Sequence, residues 1–266
     1  MSEPQPKRLT KISIILIIIA VVVAALAFSY AVITDVIVLR KTEDMNDSEN
    51  AVSMLWVGSS HVFVGNVPQQ LQVLSGANGI EIIYKDLSKH GNRGGTLSEL
   101  SVEAITEMQD YRYDYIVLQD QTRRSLNNTE ELLKEIRILC EAAREHGTIP
   151  VIYNSAWATA NGRPDEARLR TSTEVSKRAA EENNAILVDA AGAWIYAYQE
   201  LQDISLYTSF DLRGPHASKA GGFLTSCVFA AVLFDLHIEQ IPEDSMYKGS
   251  DALTLAEAAW EFVTDK

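Results

Sequence analysis

Val52-Ser53-Met54-Leu55-Trp56-Val57-Gly58-Ser59-Ser60-His61 decides how the rest of this chain reads. Residues 52–57 form a short, mostly apolar run, the pattern of a buried strand. A turn of small residues behind such a strand exposes a side chain at the carboxyl edge of a sheet, where open α/β folds bind ligands. A serine in that place supports acyl transfer if a histidine and an acid reach it from later in the chain. Alone, a Gly-Ser-Ser turn is more often only a turn, so three further segments carry the decision.

Outward from this strand the chain alternates. Further apolar runs stand at 80–84, 115–118, 149–153 and 185–188, all short and most of them rich in β-branched residues. Between them lie longer segments of helical period, the clearest at 129–146. There Asn128 with Glu131 three residues on gives an N-cap signal, and Gly147 gives the stop. Leu132, Leu133, Ile136, Leu139, Cys140 and Ala143 make its apolar stripe. Residues 217–236 and 252–263 read as closing helices. Five strands alternating with helices predict an α/β fold: a three-layer α/β/α sandwich on a five-stranded parallel sheet, flavodoxin-like in plan. No internal repeat and no shift in composition divides residues 51–266.

The amino-terminal part is different. Residues 12–33 are 22 positions without a charge, dominated by Ile, Val, Leu and Ala and lacking a polar face. At about 1.5 Å per residue they match a hydrocarbon core of about 30 Å. The rival reading is a cleavable signal peptide with Ala25-Leu26-Ala27 as its site, but the apolar run continues past those alanines, which favours an uncleaved anchor. Lys7, Arg8 and Lys11 precede the span and Arg40 and Lys41 follow it. The expected arrangement is a cytoplasmic segment 1–11, a transmembrane helix 12–33, a polar linker 34–50 and an extracytoplasmic domain 51–266 in a single-pass membrane protein. Secretion after cleavage is the alternative.

Whole-chain charge is 23 basic against 36 acidic residues, and beyond residue 40 it is 19 against 34. Such a surface repels phosphate backbones and argues against nucleic-acid binding. Cys140 and Cys227 both fall in apolar helical patterns and read as buried small hydrophobes rather than a disulfide. No CxxC or His-Cys cluster suggests a metal site.

His90-Gly91-Asn92-Arg93-Gly94-Gly95-Thr96-Leu97 lies between the second strand and a helix, and its adjacent glycines allow backbone N–H groups to approach an oxyanion. Tyr115-Ile116-Val117-Leu118-Gln119-Asp120-Gln121-Thr122 ends a buried strand in two amides flanking a carboxylate. An amide N–H donates to a developing oxyanion without changing charge. Asp211-Leu212-Arg213-Gly214-Pro215-His216-Ala217-Ser218 runs into the first closing helix, and His216 is the histidine with an acid near it at a loop-to-helix junction. Of the others, His61 touches the serine turn but is too close in sequence to reach back easily. His90 sits in the glycine loop, His146 at a helix end and His237 past the last apolar turn.

Taken together, in this order, the four segments resemble the SGNH hydrolase superfamily, also called GDSL-type esterases. Leu55-Trp56-Val57-Gly58-Ser59-Ser60-His61 looks like the family's first block, with Ser60 in the nucleophile position. Val62 fills the last place of a would-be G-x-S-x-G, so the resemblance is not to the α/β-hydrolase elbow. Gly94-Gly95 looks like the glycine block, and Gly214-Pro215-His216-Ala217-Ser218 with Gly221-Gly222 is similar to the last block. Two departures stand out. Leu118-Gln119-Asp120-Gln121 occupies the place of the usual Gly-x-Asn-Asp, as in a branch carrying Leu-Gln-x-Gln. Arg213 holds the position three before the histidine where the family's acid usually lies, leaving Asp211 five before.

The resemblance implies a serine esterase acting on a short acyl ester, by location and family on a carbohydrate, with no cofactor and no metal. Ser60 would be the nucleophile, His216 the general base and Asp211 the residue that fixes the imidazole tautomer. Alternatively a backbone carbonyl orients His216 and the triad is a dyad. The N–H groups of Ser60 and of Gly94 or Gly95 would hold the oxyanion together with the amide of Gln121 or Gln119. An O-acyltransferase using the same residues, and a non-catalytic binding module, are the two competing readings.

Overall fold

The computed structural model describes residues 51–90, 93–119, 123–201, 204–208 and 215–265. In chain order these form β1 (Val52–Val57), α1 (Ser60–Phe63), α2 (Val67–Gly76), β2 (Ile82–Asp86), β3 (Lys89–His90), β4 (Arg93–Gly94), α3 (Leu97–Asp110) and β5 (Tyr115–Leu118). They continue with α4 (Arg124–Asn127), α5 (Thr129–Glu145), β6 (Ile149–Asn154), β7 (Thr159–Ala160), β8 (Arg163–Pro164), α6 (Glu166–Glu182), β9 (Ile186–Asp189), α7 (Ala190–Glu200), α8 (Lys219–Phe234) and α9 (Ala252–Thr264).

Five strands make one parallel sheet in the order β2-β1-β5-β6-β9. β3 with β4 and β7 with β8 are two short antiparallel ribbons outside it. Parallel strands need covered faces, and the burial of Met54, Leu55, Trp56 and Val57 on both sides of β1 shows that they are covered. Helices α2, α7, α8 and α9 pack together as one layer, and α3, α5 and α6 form the other. The three-layer α/β/α sandwich and its flavodoxin-like strand order are thus observed. The chain turns from β1 outward to β2 and then crosses back to β5. The gap between the carboxyl ends of β1 and β5 is therefore the topological switch point at which such sheets bind ligands.

Most expected elements fall where the pattern placed them. β1 and β5 match residue for residue, and the six stripe residues of α5 are its buried residues. Three differences have local causes. β2 begins at Ile82 because the Ile80 N–H donates to Ser75 O, closing the end of α2. Asn128 heads α5 but makes no side-chain cap. The one-turn helix α4 runs straight into α5, and Thr129 Oγ1 donates to Ser125 O at the junction. The first closing helix starts at Lys219, two residues late, because Ala217 is bridged to Tyr207 as extended chain.

Cys140 and Cys227 are buried free thiols, and burial pushes the Cys140 thiol up to about 12. Among the described residues no helix is long and apolar enough to cross a membrane. The 12–33 span, with the 1–11 and 34–50 assignments, lies outside them.

Candidate active site

Ser60 stands at the carboxyl end of β1, at the head of the single turn α1. The approach is close. A Cβ on Gly58 would lie 2.8 Å from Val62 Cγ2 and 3.0 Å from Gln119 O and Oε1, so no side chain fits there. α1 ends after four residues at Gly65-Asn66, where Asn66 takes up a left-handed φ of 51° and starts α2 with Pro68 in its first turn.

The partner arrives from far along the chain. His216 Nε2 lies 2.9 Å from Ser60 Oγ, across 156 residues of sequence. This is hydrogen-bond distance for a nucleophile and its base. His216 is buried, with 8% of its surface exposed, and its backbone is pinned as extended chain. The Thr208 N–H donates to His216 O at 2.8 Å, and the Ser218 N–H donates to Leu206 O at 2.8 Å. Ser218 then caps α8 by accepting from the Gly221 N–H, while its own hydroxyl donates to Ser205 O. Gly221 and Gly222 let α8 come in under the site. A Cβ on Gly221 would strike Leu206 O and Trp194, and one on Gly222 would strike Gly65 O and Gln70.

Ser59 has a different task from its neighbour. Its N–H and its hydroxyl both donate to Gln119 Oε1, each at 2.8 Å, and Gln119 Nε2 reaches Ser155 Oγ at 3.3 Å. Because the Ser59 N–H is a donor, the Gln119 atom that meets it must be the carbonyl oxygen. Gln119 therefore braces the serine turn across the switch point, from the end of β5 to the end of β6.

The glycine pair divides in a similar way. The Gly95 N–H donates to Ser88 O at 3.2 Å, inside the β3–β4 ribbon, and a Cβ on Gly95 would sit 2.6 Å from Leu100. Gly95 is spent on the ribbon and on packing. Lys89 and Gly94 face each other next to that bond, as the pair between hydrogen-bonded rungs, so the ladder does not use the Gly94 N–H. β4 lies against α1, the turn that Ser60 begins. Ser60 also heads a helix, and its own N–H has no acceptor within that helix.

Asp211 and Gln121 lie outside the described residues. Tyr153, in β6, and Trp157, just after it, are buried. Tyr153 packs edge-on against Phe229, and its hydroxyl donates to His61 O at 3.5 Å. Trp157 borders a cavity of about 40 Å³ that also touches Gln119 and Ser155. Among the described residues no group of His, Cys, Asp and Glu is arranged to hold a metal ion.

Another ring lies beside this pair. His61, next to Ser60, is buried and lays its ring on that of His216, with centroids 5.2 Å apart and planes 27° apart. Burial, helped by the proximity of His216, pushes the His61 imidazole down to about 3, so it is neutral at ordinary pH. No sequence pattern pairs His61 with His216, because the two rings come from separate blocks and meet only in the fold.

No protein-family model and no curated protein matches the chain. Solved structures do. A protein from Slackia heliotrinireducens assigned to the SGNH hydrolases is 21% identical over 69% of this chain and 100% of its own, with a TM-score of 0.55. A DUF4886 family protein from Bacteroides uniformis is 15% identical over 80% and 95%, with a TM-score of 0.61. A family 3 carbohydrate esterase from Clostridium thermocellum is 13% identical over 70% and 96%, with a TM-score of 0.51. The chain shares its fold with these three proteins.

Proposed function

We propose that the chain is a serine esterase of the SGNH type. The observation that carries this reading is the 2.9 Å contact between Ser60 Oγ and His216 Nε2 at the switch point of the sheet. Ser60 Oγ attacks the acyl carbon of an ester while His216 Nε2 takes its proton. The carbonyl π electrons move onto oxygen, and the N–H groups of Ser60 and Gly94 receive that charge, with Gln121 as the side-chain donor. Collapse expels the alcohol, which leaves with the proton from His216. Water, deprotonated by the same ring, then attacks the acyl-enzyme and releases the acid and free Ser60. Asp211 holds the His216 tautomer in this scheme. Ser59 and Gln119 fix the turn and take no proton.

A short acyl ester on a carbohydrate is the substrate we favour. Two proteins of the same fold support it: the family 3 carbohydrate esterase, and an acetyl xylan esterase with a TM-score of 0.51 and 14% identity. The uncharged span 12–33 supports a location at the membrane with the domain outside. Protease added to intact cells should then remove the domain and leave a short membrane stub, whereas a soluble product starting near Phe28 would mean a signal peptide.

The deciding experiment is labelling with a fluorophosphonate, which reports an activated serine without knowledge of the substrate. The wild-type chain should label at Ser60 and hydrolyse an acetyl ester. Ser60→Ala should do neither, and Ser59→Ala should keep most of both. The reverse pattern, or a wild-type chain inert to the probe, would defeat the proposal.

A further inference from the structure

The geometry points to His61 as a positioning residue, whose ring holds the imidazole plane of His216 in line with Ser60. This rests on the reading of Ser60 and His216 as nucleophile and base, and it adds a residue that the serine-histidine pair alone does not require.

His61 is placed for the task by its neighbours. It sits one residue after Ser60 in the four-residue turn α1, which is locked at its start by the Ser59–Gln119 brace. Its carbonyl meets the Tyr153 hydroxyl, and its side chain is buried, with 6% of its surface exposed. A residue beside a nucleophile commonly faces the pocket or the solvent. Here it turns inward, and its ring stacks at a tilt on that of His216, with planes 27° apart.

The backbone of His216 is held by the Thr208 and Ser218 bonds, but those bonds leave its side-chain torsions to be set by packing. A terminal sp³–sp² torsion is broad and two-fold, so an imidazole with no flat neighbour turns easily. Nε2 lies at the far end of that ring, and turning the ring moves it away from Ser60 Oγ. A flat ring lying 5.2 Å away, at 27°, restricts that rotation. The charge suits the chemistry as well. His61 is neutral, so the proton taken from Ser60 arrives beside a polarisable face and not beside a second cation.

The prediction separates a flat face from mere filling of space. His61→Leu fills a similar volume without a planar surface, and His61→Phe restores the surface without nitrogens. With an acetyl ester, His61→Leu should lower kcat by roughly 10-fold to 100-fold with KM within about 2-fold, because misplacement of a catalytic group by ~1 Å costs up to ~10²-fold. His61→Phe should recover most of that loss, and fluorophosphonate labelling rates should follow the same order. Long-range ¹H–¹⁵N spectra of the His216 ring provide a reading that needs no turnover. They should show one sharp set of His216 ring signals in the wild type and in His61→Phe, and signals broadened by ring reorientation in His61→Leu.

Leu and Phe variants alike in kcat and in the His216 spectrum would overturn the inference, as would a loss carried by KM. A wild-type chain inert to both ester and probe would defeat the esterase reading instead. The spectra would still decide whether His61 holds the ring.

Discussion

Lowering the pH from 7 to 5 should weaken the fold through a single buried imidazole. The His61 ring is pushed from an ordinary 6.5 down to about 3, first by burial and second by the charge of His216. Between those two values the unfolded chain binds a proton that the folded chain refuses. Stability rises with pH wherever the unfolded state holds more protons, so this penalty is absent above about 7 and grows as pH falls below 6.5. It increases by about 1.4 kcal/mol per pH unit and levels off below about 3. At pH 5 the loss attributable to His61 is about 2 kcal/mol, and its limiting value is about 5 kcal/mol. His61 is buried, with 6% of its surface exposed, so solvent does little to screen the effect. Urea unfolding of the wild type and of His61→Phe, each at pH 7 and pH 5, isolates it. Carboxylates and the remaining histidines titrate in both proteins and cancel in the comparison. The wild type should lose about 2 kcal/mol more than the variant over that interval. Equal losses in the two proteins would show that His61 takes its proton in the folded state near the ordinary pH, and the argument for a neutral stacked ring would fail with it.

Three further outcomes are expected. Gln119→Leu removes the acceptor for both the N–H and the hydroxyl of Ser59, and leaving such buried donors unpaired should cost about 1–3 kcal/mol each in urea unfolding. Ester turnover should fall with it, and full stability in that variant would show that the brace is not needed. Gly222→Ala drives a methyl into Gly65 O and Gln70, so it should lower the unfolding free energy by about 1–3 kcal/mol, measured as a drop in Tm. Asp211→Asn should leave the circular dichroism spectrum unchanged and reduce kcat by as much as ~10⁴-fold, because asparagine can hold the wrong imidazole tautomer. An unaltered kcat would leave Ser60 and His216 as a dyad oriented by backbone.

What could be read from the sequence divides along a physical line. Features set by a residue's own neighbours were legible. Parallel strands buried on both faces must be nearly continuous apolar runs, and β1 and β5 therefore announce their own ends. The stripe of α5 is a matter of 3.6-residue spacing, and all six of its positions are buried. A serine after β1 and a histidine before α8 were legible as chemistry because both sit at element boundaries, where sheets of this kind put their sites. Their separation of 2.9 Å is what the spacing of elements by itself does not give.

Features set by direction were not legible. Gln119 carries an acceptor and two donors on one side chain, and the sequence cannot say which end turns to the serine turn. The Ser59 N–H settles it, because a donor must meet the carbonyl end. The same holds for the glycine pair. Gly94 and Gly95 are chemically identical, and only the pairing of β4 with β3 turns one N–H into the ribbon and leaves the other outside the ladder. His61 stands too near Ser60 to swing back to it. The ring instead meets that of His216, which the segment before α8 brings in from the far end of the domain. A residue adjacent to a nucleophile is thus best judged by what the topology places across from it. Here the chain after β9 returns to the carboxyl end of β1, and that return brings His216 to Ser60.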